Sequence, residues 1–200
     1  MNGPNQGDSI QQWYKDMPIV TKILFTGTFL SGALITFGLL DPSSIILSWP
    51  YITDKFQIWR LVSNFFFAGK FSINFVMHLY IVYQNSIKYE RNPFNTGAGG
   101  TSSDYLYMLF IGMALLLLAS YFMPLMVLSE SLLYMITYVW SRREPESLVN
   151  IYGFTFQGVY LPWIYLGLRL IMGSTDFILP ILGLFQLITL YFCMPLFNLS

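Results

Sequence analysis

The chain has 200 residues, 55% of them hydrophobic, 18% aromatic and only 10% charged, with a mean hydropathy of +0.56. That balance is too apolar for an ordinary soluble domain and makes lipid the solvent for most of the sequence. Ten basic and ten acidic side chains cancel, and no basic block exceeds Arg142-Arg143, which argues against nucleic acid as a partner because phosphate neutralisation needs a concentrated basic patch. One cysteine, Cys193, excludes an internal disulfide and a multi-cysteine zinc site, and reads as a buried thiol.

Residues 1–17, MNGPNQGDSIQQWYKDM, are polar and lack the basic start and apolar core of a cleavable signal, so they are expected to remain as a cytosolic or interfacial segment. Ile10, Trp13, Tyr14 and Met17 share one face of a helix over 9–17, which suits the membrane interface; a soluble lead-in turn is the alternative. A transmembrane domain is expected over 18–196, followed by a very short end at 197–200. Six stretches approach the roughly 20 apolar residues that cross about 30 Å of hydrocarbon. They lie near 18–40, acting as an uncleaved signal-anchor, and near 71–88, 104–122, 123–140, 153–173 and 176–196. The third and fourth run together, and Met123-Pro124 is the expected point of reversal. The result is an all-α polytopic membrane protein with six transmembrane helices.

Orientation follows from lysine and arginine in the short loops. Lys15, Lys22, Lys88, Arg91, Arg142 and Arg143 fall on one side, and Lys55, Arg60, Lys70 and Arg169 on the other. Six against four favours cytosolic termini. The five tryptophans and many of the fourteen tyrosines fall near span ends, as an aromatic belt does. The TGAGG run at 96–100 lacks the Lys-Ser/Thr and preceding strand of a phosphate loop, and the sequon at Asn198 lies on the expected cytosolic side.

The loop from Asp41 to Lys70 is apolar enough to dip into the membrane yet contains Pro50, Asp54, Lys55, Gln57 and Arg60. Irregular backbone at membrane depth needs protein or water partners. The Arg60 guanidinium, with five donors in a rigid fork, can bind several loop carbonyls and stack on Trp59; the alternative is an arginine snorkelling to headgroups. Within the spans, Asn74 and His78 lie four apart on one helix face, Ser129, Glu130 and Ser131 interrupt the fourth span, and Gln157 and Gln186 fall in the fifth and sixth. A serine protease would need Ser131 as nucleophile and His78, the sole histidine, as base. Glu130 is adjacent to Ser131 and so projects about 100° away from it on a helix. Interhelical hydrogen bonding is the better role for His78. No metal motif such as HExxH is present.

FQIWRLVSNFFFAG at 56–69 resembles the derlins, the catalytically inactive branch of the rhomboid superfamily. The resemblance continues through FSINF (71–75), KYERNPF (88–94), SDYLYML (103–109), YVWSRREP (138–145), IYGF (151–154) and VYLPWIYLGL (159–168), and spans the chain from Met17-Pro18 to Gly183. Trp59-Arg60 corresponds to the Trp-Arg motif of the rhomboid first loop, and Trp140, Arg142, Tyr160, Pro162 and Trp163 belong to derlin signatures. The resemblance implies a rhomboid-like bundle without catalytic residues. Rhomboid proteases carry Gly-x-Ser-Gly on the fourth span and histidine on the sixth, whereas this chain reads Ser129-Glu130-Ser131-Leu132 and has no histidine on the sixth. The rhomboid His-x-x-x-Asn pattern of the second span is reversed, as Asn74 to His78.

The resemblance further implies an endoplasmic reticulum membrane protein, multi-pass with cytosolic termini, that helps export misfolded lumenal or membrane proteins for degradation, a part of protein quality control tied to the unfolded protein response. Implied partners are misfolded substrates, a membrane ubiquitin ligase complex, a cytosolic AAA ATPase and the bilayer, in homo- or hetero-oligomers; no cofactor is implied. Two departures stand out. The family's Gly-x-x-x-Gly on the sixth span keeps Gly183 but has Leu187 at the second position, which would hinder close helix approach. The sequence ends at Ser200, before the tail through which many relatives recruit the ATPase, so direct ATPase contact is not expected. The rival functions are an active intramembrane protease using Ser131 and His78, and a membrane scaffold or small-solute transporter, for which neither inverted repeats nor broken-helix sites are evident.

Overall fold

A computed structural model describes residues 6–91, 102–123, 125–151 and 154–171. The expected sixth span, 176–196, lies outside the described residues, with Gly183, Gln186 and Cys193. So do the TGAGG run and the sequon.

The described residues form eight α-helices and one small hairpin. Helix α1 (Gln6–Lys15) precedes α2 (Ile19–Thr36), with Pro18 at the break. The first loop then holds α3 (Trp49–Lys55) and α4 (Arg60–Ser63), before α5 (Ile73–Arg91). Helices α6 (Ser102–Phe122) and α7 (Ser129–Arg143) follow, then strands β1 (Leu148–Ile151) and β2 (Phe154–Gln157), and α8 (Leu161–Ile171).

Helix α7 is the central post. Ten of its 15 residues are buried, including Met135 and Ile136, against α5, α6 and α8. Helices α2 and α6, of 18 and 21 residues, rise about 27 and 31 Å at 1.5 Å per residue, enough to cross a bilayer. Only a third of each is buried. Several of their other apolar side chains, among them Ile23, Phe29, Leu30, Phe110 and Leu118, are exposed, which water would penalise and lipid does not. Small residues set the close approaches: a Cβ at Gly32 would run into the Phe75 ring of α5, and one at Gly112 into Met135 of α7.

Element boundaries depart from expectation at two places. Apolarity suggests a fourth span from 123 to 140, but α6 stops at Phe122, Met123 precedes a proline that disfavours helical backbone, and α7 begins only at Ser129. Apolarity likewise suggests a fifth span from 153 to 173. The chain instead makes an antiparallel hairpin, Val149 opposite Phe156 and Ile151 opposite Phe154, and enters α8 only at Leu161. Gln157 is therefore an exposed strand residue and not part of a span. Pro162 sits at the second helical position, where its missing N–H costs nothing.

Candidate functional site

Three polar assemblies organise the bundle: a locked first loop, a cavity between α5, α7 and α8, and a capped helix start.

In the first loop the turn Asp41–Ser44 is shaped by its own side chains, Ser43 N donating to Asp41 Oδ1 at 3.0 Å and Ser44 Oγ to the Asp41 carbonyl at 2.7 Å. This presents two carbonyls to Arg60, which is only 6% exposed. One terminal guanidinium nitrogen donates to Ser43 O (2.5 Å) and Ile46 O (2.8 Å), while Nε donates to Gln57 Oε1 (2.6 Å). The ring facing the guanidinium is Tyr51, 5.0 Å away, and not Trp59, which is 57% exposed. The stacking expected of Trp59 therefore passes to Tyr51, because the α3 turn brings that ring across from the start of α4. Fully buried Asn64 donates to Arg60 O (2.6 Å) and Leu61 O (3.1 Å), and Ser63 Oγ to Ile45 O (3.1 Å). The loop is tied to the bundle by Leu47 N to Met126 O (2.8 Å), Trp49 Nε1 to Ser120 O (3.1 Å) and Ser129 Oγ to Phe67 O.

A cavity of about 100 Å³ lies between α5, α7 and α8. Asn74 and His78 line it together, as their spacing requires, and face Glu130, Tyr134 and Thr137 of α7 and Tyr165 of α8. It has room for several waters or one polar side chain, and its lining offers a carboxylate, an imidazole, a carboxamide and hydroxyls. Ser131 is fully buried and is not among the lining residues, so the serine and the histidine are not brought to one cavity. Below the cavity, Asn85 Nδ2 donates to Thr137 Oγ1 (2.6 Å), with both residues fully buried.

Glu90 closes the end of the bundle. Its carboxylate accepts from Val20 N (3.0 Å), Thr21 N (2.8 Å) and Thr21 Oγ1 (2.8 Å), satisfying first-turn amides of α2 that Pro18 leaves without a side-chain cap. Around it, Ser86 and Tyr105 share a hydrogen bond of 2.7 Å, Lys88 lies 4.4 Å from the Trp140 ring and Arg143 4.8 Å from that of Tyr89. Trp140 is buried, Arg142 is exposed with its guanidinium 5.7 Å from Tyr138, Pro162 is buried, and Tyr160 and Trp163 are exposed. No group of three metal-ligating side chains occurs among the described residues.

Sequence reasoning missed Asn64, Glu90 and the Asn85–Thr137 pair. Glu90 carried a signal: a carboxylate in the last turn of α5 opposes that helix's own dipole, so its partner has to come from elsewhere.

Long apolar helices exposed to lipid, a buried polar loop and a polar cavity between helices define a helical membrane protein. The profile of the Der1-like family matches residues 17–200, and the chain belongs to that family. It is 37% identical over 164 residues to the probable derlin-2 homolog of Dictyostelium discoideum, covering 78% of this chain and 63% of that protein. It is 36% identical to Derlin-1 of Oryza sativa subsp. japonica, covering 94% of this chain and 77% of the relative, and 30% identical to Derlin-2.2 of Arabidopsis thaliana, covering 85% and 73%. The matched part thus spans just under two thirds of the Dictyostelium relative.

Proposed function

We propose that this chain is a non-catalytic component of endoplasmic-reticulum-associated degradation that helps carry misfolded lumenal or membrane proteins toward the cytosol. It would be a six-span rhomboid-like bundle with cytosolic termini, working with a membrane ubiquitin ligase complex and a cytosolic AAA ATPase. The observation that carries the reading is the Der1-like match over nearly the whole chain, from residue 17 to 200. The site supports a passage role over a hydrolytic one. The cavity takes Glu130 from α7 and leaves Ser131 buried outside it, so the candidate base His78 shares the cavity with a carboxylate and not with the candidate nucleophile. Trp59, Arg60 and Gln57 are read as positioning residues of the first loop, and Asn74 and His78 as polar contacts for a passing or neighbouring segment.

The test is a degradation chase of a misfolded lumenal glycoprotein in cells lacking the gene. The reading expects a client half-life extended severalfold. An unchanged half-life refutes it, and Ser131-dependent labelling of the folded protein by a fluorophosphonate would favour the protease instead.

A further inference from the structure

From Leu148 to Leu168 the chain carries no charged residue, although it leaves the bundle between α7 and α8 as a two-stranded hairpin. Opposed residues of a hairpin share a face and successive ones alternate. Val149, Phe154 and Phe156 are therefore on one face, and Leu148, Thr155 and Gln157 on the other. The aromatic face begins on the bundle, with Val149 buried and Phe156 half-buried against the core. It then runs past the bundle: Phe154, 6.4 Å from the Phe156 ring, is 68% exposed. The root is fixed by Gly158 N to Ser147 O (2.8 Å) and Val159 N to Pro145 O (3.3 Å), and a Cβ at Gly158 would collide with the Glu144 carbonyl.

We propose that this hairpin is an interfacial paddle whose Phe154–Phe156 face rests on the lipid leaflet at this end of the bundle, at the boundary between headgroups and acyl chains. Two constraints select that depth. Among the described residues neither outer strand edge pairs with a further strand, and edge N–H and C=O groups are ones that hydrocarbon cannot satisfy. In water, an uncharged two-stranded hairpin with an exposed aromatic face is marginal and prone to edge pairing. The headgroup boundary meets both demands, with polar partners for the edges and hydrocarbon for the rings. The surroundings match. Tyr160 and Trp163, the amphipathic aromatics that favour this layer, are exposed on the next turns, and exposed Arg142 at the root complements lipid phosphate. Because α8 starts at this root and supplies Tyr165 and Leu168 to the cavity, the paddle sets the depth of one cavity wall in the bilayer. The placement does not depend on the export reading.

The test uses the full chain with Cys193→Ser, carrying an environment-sensitive fluorophore on Phe154→Cys or Thr155→Cys, in phosphatidylcholine vesicles. Nitroxides are placed high on the acyl chain or near its end, and iodide is added to the water. For insertion of about 5–10 Å, the label at 154 is expected to be quenched by the shallow nitroxide at least about twofold more than by the deep nitroxide or iodide. The label at 155, on the opposite face of the same strand, is expected to show the reverse preference for iodide, which also reports that the hairpin is formed. Equal iodide quenching at both positions overturns the proposal. So does a signal at 154 that ignores lipid nitroxides and changes on diluting the protein within the vesicles, since a second copy would then be the occupant.

Discussion

Arg60→Ala removes three hydrogen bonds from a charged donor at a position only 6% exposed. Hydrogen bonds to charged groups are worth about 1.5–3 kcal/mol each, and a buried acceptor left empty costs about 1–3 kcal/mol. Because Ser43 is exposed and Ile46 half-buried, water partly replaces the lost donors at their carbonyls, and the expected loss is about 2–4 kcal/mol, less than the sum of the parts. Arg60→Lys retains a charge but only a point donor, which cannot span the Gln57 oxygen and both carbonyls, so it should lose more than half as much as alanine. Gln57→Ala removes one of the three bonds, and a double-mutant cycle with Arg60→Ala should give a coupling of about 1–2 kcal/mol. The assay is thermal or denaturant unfolding of purified protein in one detergent, with a melting shift of about 2–4 °C per kcal/mol. Unaltered unfolding for Arg60→Ala, with export lost, would refute the lock and leave Arg60 a direct contact for lipid or client.

Three further outcomes are expected. Glu90→Ala strips Val20 N, Thr21 N and Thr21 Oγ1 of their acceptor and should destabilise by about 2–4 kcal/mol, whereas Glu90→Gln keeps one acceptor oxygen and should lose about half of that; hydrogen exchange at the start of α2 reads both. Thr137→Val leaves the buried Asn85 carboxamide without its acceptor and should cost about 1–2 kcal/mol, while Asn85→Leu, whose Oδ1 already lacks a partner, should come close to neutral in the same unfolding assay. Gly32→Leu forces the Phe75 ring out of its seat and should reduce the folded yield, with partial recovery on adding Phe75→Ala, as measured by monodispersity in size-exclusion chromatography.

Arg60 was legible because a permanent charge in FQIWRLVSNFFFAG must find partners wherever the solvent is lipid. Its partners were less so: Tyr51 precedes it by nine residues, and only the folded α3 turn shows that Tyr51 and not Trp59 meets the guanidinium. The pairing of Asn74 with His78 followed from helical spacing, whereas Glu130 joining them depended on how α7 is rotated, which sequence spacing does not fix. The second strand reads from sequence as the start of a span because Phe154 and Phe156 raise hydropathy whether they alternate or lie on a helix. The late start of α7 has a similar origin, since LMVL before Ser129 is apolar enough for a helix but forms no regular secondary structure.

The most direct measurement is a complementation chase: client half-life in null cells re-expressing the wild-type chain, Ser131→Ala or Arg60→Ala at matched levels. The account predicts that wild type and Ser131→Ala restore degradation equally, and that Arg60→Ala fails in proportion to its lost folded protein. Restoration that requires Ser131, or a half-life that none of the chains changes, would contradict it.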